Sequence, residues 1–330
     1  MARETLSRIM TDAPFDAPPP PTPESVIARL GFEPEMDRLR ERIAKWVSSC
    51  STEMREILEW QFLGGSKYFR PLTIFACYRA SRAGIDDPGP IPERILQSAL
   101  VIELFHNVSL IIDDIVDRSD TRRGRATLHT RFGELGALMN SGYIVADGYL
   151  QLGDDLQGIA LFSELLKRLG VAEVMQWRLR RQPLGVEDWR RIAGEDTGSM
   201  FEVCACLGDR TGELREFGAL LGLLYHGCDD VGDVKGLAAL GGGGEEDLRD
   251  GILTLPAALA IRDPAAAAIF CHPEGRDLAE LGRALVAKLP EAEAYLDTIA
   301  GQAGHVARSL AADPAPLLAL IGQTRDLSRY

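Results

Sequence analysis

A chain of 330 residues is long enough to bury a substantial core as one large domain or two, and its net charge of −13 excludes an electrostatically driven nucleic-acid binder. The hydrophobic share of 46% and charged share of 26% are those of an ordinary soluble globular protein, with no signal peptide and no run approaching a membrane span. Six scattered cysteines (Cys50, Cys77, Cys204, Cys206, Cys228 and Cys271) lack the pairing of zinc ligands or of a disulfide framework, which marks them as reduced core thiols in a cytoplasmic protein.

In chain order, residues 1–23 form a disordered tail, because the proline run 18–21 cannot continue a helix and offers nothing to bury. Residues 24–330 form the folded domain. Glu24 to Leu30 and Met36 to Phe62 carry helical spacing, the second with Arg38, Arg40, Arg42 and Lys45 on its wet side. Gly64-Gly65-Ser66-Lys67-Tyr68-Phe69-Arg70-Pro71 then breaks the pattern. Its glycines let backbone approach a ligand, Lys67 and Arg70 supply cations for an anion, and Pro71 suits the first position of the next helix.

The apolar run Ile95 to Val116 has no Gly or Pro, and Leu100, Leu104, Val108, Ile111 and Ile115 recur at three- and four-residue steps. On that helix Asp113, Asp114 and Asp117 crowd one end. Like charges at these spacings repel, and a divalent cation removes the repulsion. Oxygen-only ligands suit Mg²⁺, which takes one or two protein carboxylates and completes its shell with water and phosphate. His106 lies two turns earlier on nearly the same face, and Arg122-Arg123-Gly124-Arg125 follows with guanidinium groups suited to diphosphate oxygens.

Helices are predicted over Phe132–Leu152 and Leu156–Leu169, followed by a basic surface segment, Val174–Arg181, around Trp177. Further helices are predicted over Glu187–Leu207 and Glu213–Cys228. The last of these ends in Asp229-Asp230-Val231-Gly232-Asp233, a second copy of the Asp-Asp-x-x-Asp spacing. Two facing clusters of this kind would hold several Mg²⁺ ions, with a diphosphate as bridging ligand. The glycine run 241–244 reads as a flexible loop, and the alanine-rich helices beyond Pro256 as packing without chemistry.

The loop 65–71, His106 with Asp113-Asp114-x-x-Asp117, Arg122-Arg123-Gly124 and Asp229-Asp230-x-x-Asp233 together resemble the trans-isoprenyl diphosphate synthases (polyprenyl synthetases) from about residue 30 to Pro256. The resemblance implies an all-α isoprenoid synthase fold, a single large helical bundle around a central apolar cavity, and a homodimer. It implies condensation of an allylic prenyl diphosphate with isopentenyl diphosphate. Asp113, Asp117 and Asp229 would hold three Mg²⁺ ions, with Asp114, Asp230 and Asp233 completing the clusters. Lys67, Arg70, His106 and Arg123 would grip isopentenyl diphosphate, and Arg122 the allylic diphosphate, with Thr197 and His226 beside it.

The chain departs from the family's pattern at four places. Asp196 stands before Thr197, and Ile252 after Gly251, where the family has lysines; His226 replaces a glutamine and Tyr68 an arginine. Three of the four fall on the allylic side, where Arg249 is a candidate replacement cation. Product length should be set on the helix leading into Asp113. Val108 and Ser109 leave the upper pocket open, and Phe105, two turns or roughly 12 Å below the carboxylate, forms a floor that points to a C15 to C20 product. Alongside elongation, two readings stay open: a terpene synthase or cyclase-like lyase on the same scaffold, and a modulatory subunit for an active homologue.

Overall fold

The computed structural model describes residues 22–64, 66–82, 89–236, 244–276 and 278–328, so the proline-rich stretch 1–21 and most of the glycine run lie outside the described residues. The first helix begins where the sequence supplies a cap. The Thr22 hydroxyl accepts the Ser25 N–H at 3.2 Å, Pro23 fills the first position, and Gly31 at φ 68° closes α1 (Pro23–Leu30). The single helix predicted over 36–62 is two, α2 (Glu33–Ser49) and α3 (Thr52–Phe62). Hydroxyls of Ser48 and Ser49 turn back onto the Lys45 and Trp46 carbonyls, Cys50 and Ser51 are extended, and Arg55 bonds the Ser48 and Cys50 carbonyls across the corner.

In α4 (Phe69–Ala80) Pro71 occupies the third rather than the first position, still within the turn whose N–H groups need no helical partner. Helix α5 (Glu93–Val116) is buried almost all round from Ile95 to Val108. By length and composition it could cross a membrane, contrary to the sequence expectation, but most of it is covered by its own chain as a core helix. A two-residue hairpin, β1 (Thr121–Arg122) and β2 (Arg125–Ala126), turns through Arg123 (φ 53°) and Gly124 (φ 74°), and α6 (Leu128–Leu152) packs along α5, kinked at Gly133. They approach closely at Gly148, where an added Cβ would stand 2.6 Å from the Phe105 ring. Phe105 is sealed there by Phe162, edge-on at 5.0 Å, and Tyr149 at 5.4 Å.

The helix predicted over 156–169 continues to Leu179 as α7 (Leu156–Leu179), with Gly170 carried inside it and most of the basic segment on its last turns. The helix predicted over 187–207 is α8 (Val186–Ala193), a π-helical turn at Gly194–Gly198, and α9 (Ser199–Asp209). There follow α10 (Arg215–Val234), α11 (Gly244–Asp250), α12 (Leu255–Ala260), α13 (Pro264–Cys271), α14 (Leu278–Ala287), α15 (Leu289–Leu310) and α16 (Ala315–Asp326). The hairpin supplies the only strands among the described residues. Contacts divide them into two compact units, the first 22–163 with 204–212 and the second 164–203 with 213–328. In the first, α2, α4 and α6 pack on α5; in the second, α12, α15 and α16 pack on α10.

Candidate active site

The first acidic motif lies wholly in the first unit. Helix α5 stops because Arg118 adopts a left-handed conformation (φ 55°) and the Ser119 N–H returns to the Asp114 carbonyl. Asp113 and Asp117 remain partly exposed while Asp114 is buried. Burial pushes the Asp114 carboxyl up, and Arg122, whose Nε donates to its Oδ1 at 2.7 Å, pulls it back. The hairpin that brings Arg122 and Arg123 is itself anchored: Arg125 and Arg131 stack over Trp60 at 4.0 and 3.8 Å, and Trp60 Nε1 donates to the Ala126 carbonyl.

An open cleft lies beside this helix end, lined by Tyr68, Glu103, His106, Asp114, Arg122 and Arg123 among others. His106 meets Arg70, with Nε2 3.1 Å from the Arg70 Nη1. A guanidinium cannot accept a hydrogen bond, so Nε2 accepts and the ring proton sits on Nδ1. Burial, reinforced by Arg70, Arg123 and Arg122, holds the imidazole well below its usual pKa, so it is neutral. Its buried Nδ1–H has no hydrogen-bond partner among the described residues.

Under these cations lies a residue missed in the sequence. Glu103 is 2% exposed; burial raises its carboxyl, opposed by Arg70, a Ser66 hydrogen bond and Arg123. A signal existed, since it is the single charged side chain between Ile95 and Ile112. Lys67 sits in the loop before α4, where Tyr68 is left-handed (φ 55°) under the Arg40 guanidinium. Of the residues assigned to product length, Phe105 and Val108 are buried, and Ser109 donates to the His106 carbonyl at 2.9 Å.

The second motif lies in the second unit, inside α10 rather than at its end, with one more residue, Val234, following Asp233. Asp230 is buried, and its Oδ2 accepts both Trp189 Nε1–H at 2.8 Å and the Leu255 N–H at 2.7 Å. Burial raises its carboxyl against the opposing pull of His226 and those two donors. His226, one turn earlier, has Nδ1 2.9 Å from Thr197 Oγ1, which in turn donates to Asp196 Oδ2 at 3.1 Å. The π turn presents Asp196 and Thr197 here because α10 is bare opposite it: a Cβ on Gly222 would lie 2.7 Å from Gly198 Cα and 2.8 Å from the Thr197 carbonyl. Arg249, the candidate replacement cation, pairs with the neighbouring Asp250 at 2.9 and 3.2 Å. The basic segment at 174–181 is structural where Arg181 donates to the Arg249 and Phe270 carbonyls.

Among the described residues, no three His, Cys, Asp or Glu side chains close around one cation position. The partly exposed carboxylates are Asp113 with Asp117 and Asp229 with Asp233, while Asp114 and Asp230 are held by Arg122 and by Trp189 with the Leu255 N–H. An oxygen-only set met one or two carboxylates at a time fits Mg²⁺, which leaves most of its shell to water and phosphate, and fits neither a zinc site nor a calcium cage.

Residues 51–278 match the polyprenyl synthetase family. The chain is 27% identical over 231 residues to geranylgeranyl pyrophosphate synthase 4 of Arabidopsis thaliana, a match covering 63% of this chain and 60% of that one. It is 28% identical over 242 residues to octaprenyl diphosphate synthase of Haemophilus influenzae, covering 70% and 71%. Among solved structures, a polyprenyl synthase from Caulobacter crescentus complexed with calcium and isoprenyl diphosphate has a TM-score of 0.80 at 19% identity, over 95% of this chain and 99% of that one. Heptaprenyl diphosphate synthase from Staphylococcus aureus has a TM-score of 0.77 at 20% identity, over 90% and 97%. The fold is thus the all-α isoprenoid synthase fold. With its loop, both acidic motifs and the matched segment spanning most of its length, the chain belongs to the polyprenyl synthetase family.

Proposed function

We propose that this protein is a trans-prenyltransferase that joins an allylic prenyl diphosphate to isopentenyl diphosphate, giving a longer prenyl diphosphate. The observation that carries this reading is the neutral, buried His106, held by Arg70 and lining a cleft that Arg122, Arg123 and Arg125 also line. A neutral donor among fixed cations suits a diphosphate oxygen, and it persists across neutral pH.

In this reading Lys67, Arg70, His106 and Arg123 hold isopentenyl diphosphate, and Arg122, Thr197 and His226 contact the allylic diphosphate. Asp113, Asp117 and Asp229 hold Mg²⁺, and Asp114, Asp230 and Asp233 hold the clusters in place. When bound, Mg²⁺ neutralises charge on the leaving diphosphate. The allylic carbon–oxygen bond breaks with its electron pair leaving on the diphosphate, while Arg122 stabilises the charge that develops there. The double bond of isopentenyl diphosphate attacks the allylic carbon, and the resulting cation loses a proton to the departed diphosphate. Apolar residues of α5 such as Val108 and Ile111 keep water from quenching the cation.

Phe105 as floor supports a C15 to C20 product, although relatives range from geranylgeranyl to octaprenyl and solanesyl synthases. A homodimer is supported by α6, whose outer face exposes Leu135, Leu138, Met139 and Leu150 opposite its buried stripe. A helix apolar on both faces needs cover, and a second copy supplies it. Six free cysteines support a reducing, cytoplasmic setting.

The lyase reading is favoured by one observation, that Arg249, the candidate replacement cation beside Asp196 and Ile252 in the sequence reading, pairs with Asp250. Purified protein incubated with Mg²⁺, labelled isopentenyl diphosphate and each short allylic diphosphate separates the readings. Labelled longer diphosphates are expected; hydrocarbon from the allylic substrate alone would replace elongation with cyclisation.

A further inference from the structure

The helices beyond Pro256, which carry no motif, hold a buried ionic hub directly behind the second acidic motif. Arg325, at the end of α16, is 4% exposed. Its Nε donates to Asp297 Oδ1 at 2.8 Å, Nη1 to Ser328 Oγ at 2.5 Å, and Nη2 to both the Glu293 carbonyl at 3.1 Å and the Glu293 carboxylate. The same Glu293 carboxylate takes Lys235 Nζ at 2.5 Å, and Lys235 also donates to the Ser328 carbonyl at 2.5 Å. Lys235 is the C-cap of α10, two residues past Asp233. Cys228, immediately before Asp229, lies fully buried against Arg325 and Ser328.

Helical spacing puts His226, Asp229, Asp230 and Asp233 on one side of α10, and Cys228 and Lys235 on the other. Trp189 and the Leu255 N–H fix the first side through Asp230; the hub fixes the second. Two cations, Arg325 and Lys235, face two anions, Glu293 and Asp297, so the hub adds no net charge behind the motif. Its action is therefore geometric. We propose that Arg325 is a positioning residue: through Glu293 and Lys235 it clamps the last two turns of α10, so that Asp229 and Asp233 present their carboxylates to divalent cations.

This inference rests on the prenyltransferase reading for the identity of the cation's role, but its test does not need turnover. Mn²⁺ binding to the full chain, followed by electron paramagnetic resonance, reads the carboxylates directly. Arg325→Met should weaken Mn²⁺ binding about tenfold, the usual effect of removing an outer support of a metal ligand. It should lower kcat as well, yet leave KM for isopentenyl diphosphate within about twofold, because the residues assigned to that substrate belong to the other unit. Arg325→Lys should recover part of the affinity.

Arg325→Met carries a risk of misfolding, since breaking a buried pair is costly. Asp297→Asn removes one arm of the clamp at a half-exposed position and should still weaken Mn²⁺ binding severalfold in a chain that melts cooperatively. Unchanged Mn²⁺ affinity in a folded Arg325→Met or Asp297→Asn protein overturns the proposal, as does equal loss of Mn²⁺ and isopentenyl diphosphate binding. A wild type that shows this Mn²⁺ dependence without elongating isopentenyl diphosphate would remove the prenyltransferase reading and leave the clamp intact.

Discussion

The same five-residue motif occupies the C-terminal turns of two helices, and the two units stabilise it in different ways. In the first unit the buried middle carboxylate, Asp114, is matched by a charge, the Arg122 guanidinium, with Arg123 and a neutral His106, itself held by Arg70, lining the adjoining cleft. In the second, the equivalent Asp230 is matched by two neutral donors, the Trp189 indole and the Leu255 backbone, and its neighbours Thr197 and His226 bond to each other and to another acid, Asp196. A buried carboxylate needs hydrogen bonds, and an opposing charge lowers the cost of its burial further. One helix end therefore carries its own positive charge and the other carries mainly acceptors, though their sequences read alike.

The strongest way to break this comparison is to remove one exposed acid from each motif. Asp113→Ala and Asp229→Ala should each lower kcat by about a thousandfold, as loss of transition-state charge stabilisation does. A variant retaining near wild-type turnover in a steady-state assay would strike that motif from the chemistry. Next comes Arg70→Gln, which removes a charge-assisted contact and the partner of His106. KM for isopentenyl diphosphate should rise on the order of tenfold or more while KM for the allylic substrate stays put; an equal rise in both would erase the division of labour.

Phe105→Ala tests the floor. Products analysed by chain length should lengthen, and the loss of a sealed aromatic should cost about 3 kcal/mol in denaturant melts. Unchanged length with lost stability would leave Phe105 as packing alone. Adding charge to the second unit sharpens the contrast: Asp196→Lys or Ile252→Lys should lower KM for the allylic diphosphate by about severalfold, with little change for isopentenyl diphosphate.

The smallest effect concerns pH. His106 in the folded chain stays neutral well below its ordinary pKa, whereas in the unfolded chain it takes up a proton near pH 6.5. The unfolded state then binds more protons, so stability falls as pH drops through about 6.5 and below. His106→Gln should flatten that slope in thermal melts between pH 5.5 and 7.5, and an unaltered slope would mean that His106 titrates freely when folded.

Several of these features were readable from spacing. Asp113, Asp117 and His106 share a helix face by arithmetic, and Arg122, Arg123 and Arg125 follow the first motif directly in the chain. Others were not. The corner at Cys50 depends on Ser48, Ser49 and Arg55 satisfying backbone groups, and the π turn on the bare face of α10 at Gly222, contacts invisible to periodicity. Glu103 stood out as a charge in an apolar run, but only its place beneath Arg70 and Arg123 gives it meaning. Arg325 gave no signal at all, since nothing in its own segment repeats or clusters.

By itself the sequence determined the all-helical class, the two acidic helix ends, the cationic loop and the arginines after the first motif, because those follow from side-chain type at fixed local separations. Tertiary structure decided which carboxylate is buried and by what it is satisfied, which tautomer His106 holds, and that Lys235, Glu293 and Arg325 meet behind the second motif. The division has a physical reason. Helix faces are set by dihedral angles repeated every residue, whereas burial and hydrogen-bond partners depend on groups tens of residues away, whose meeting is decided by packing of the whole core.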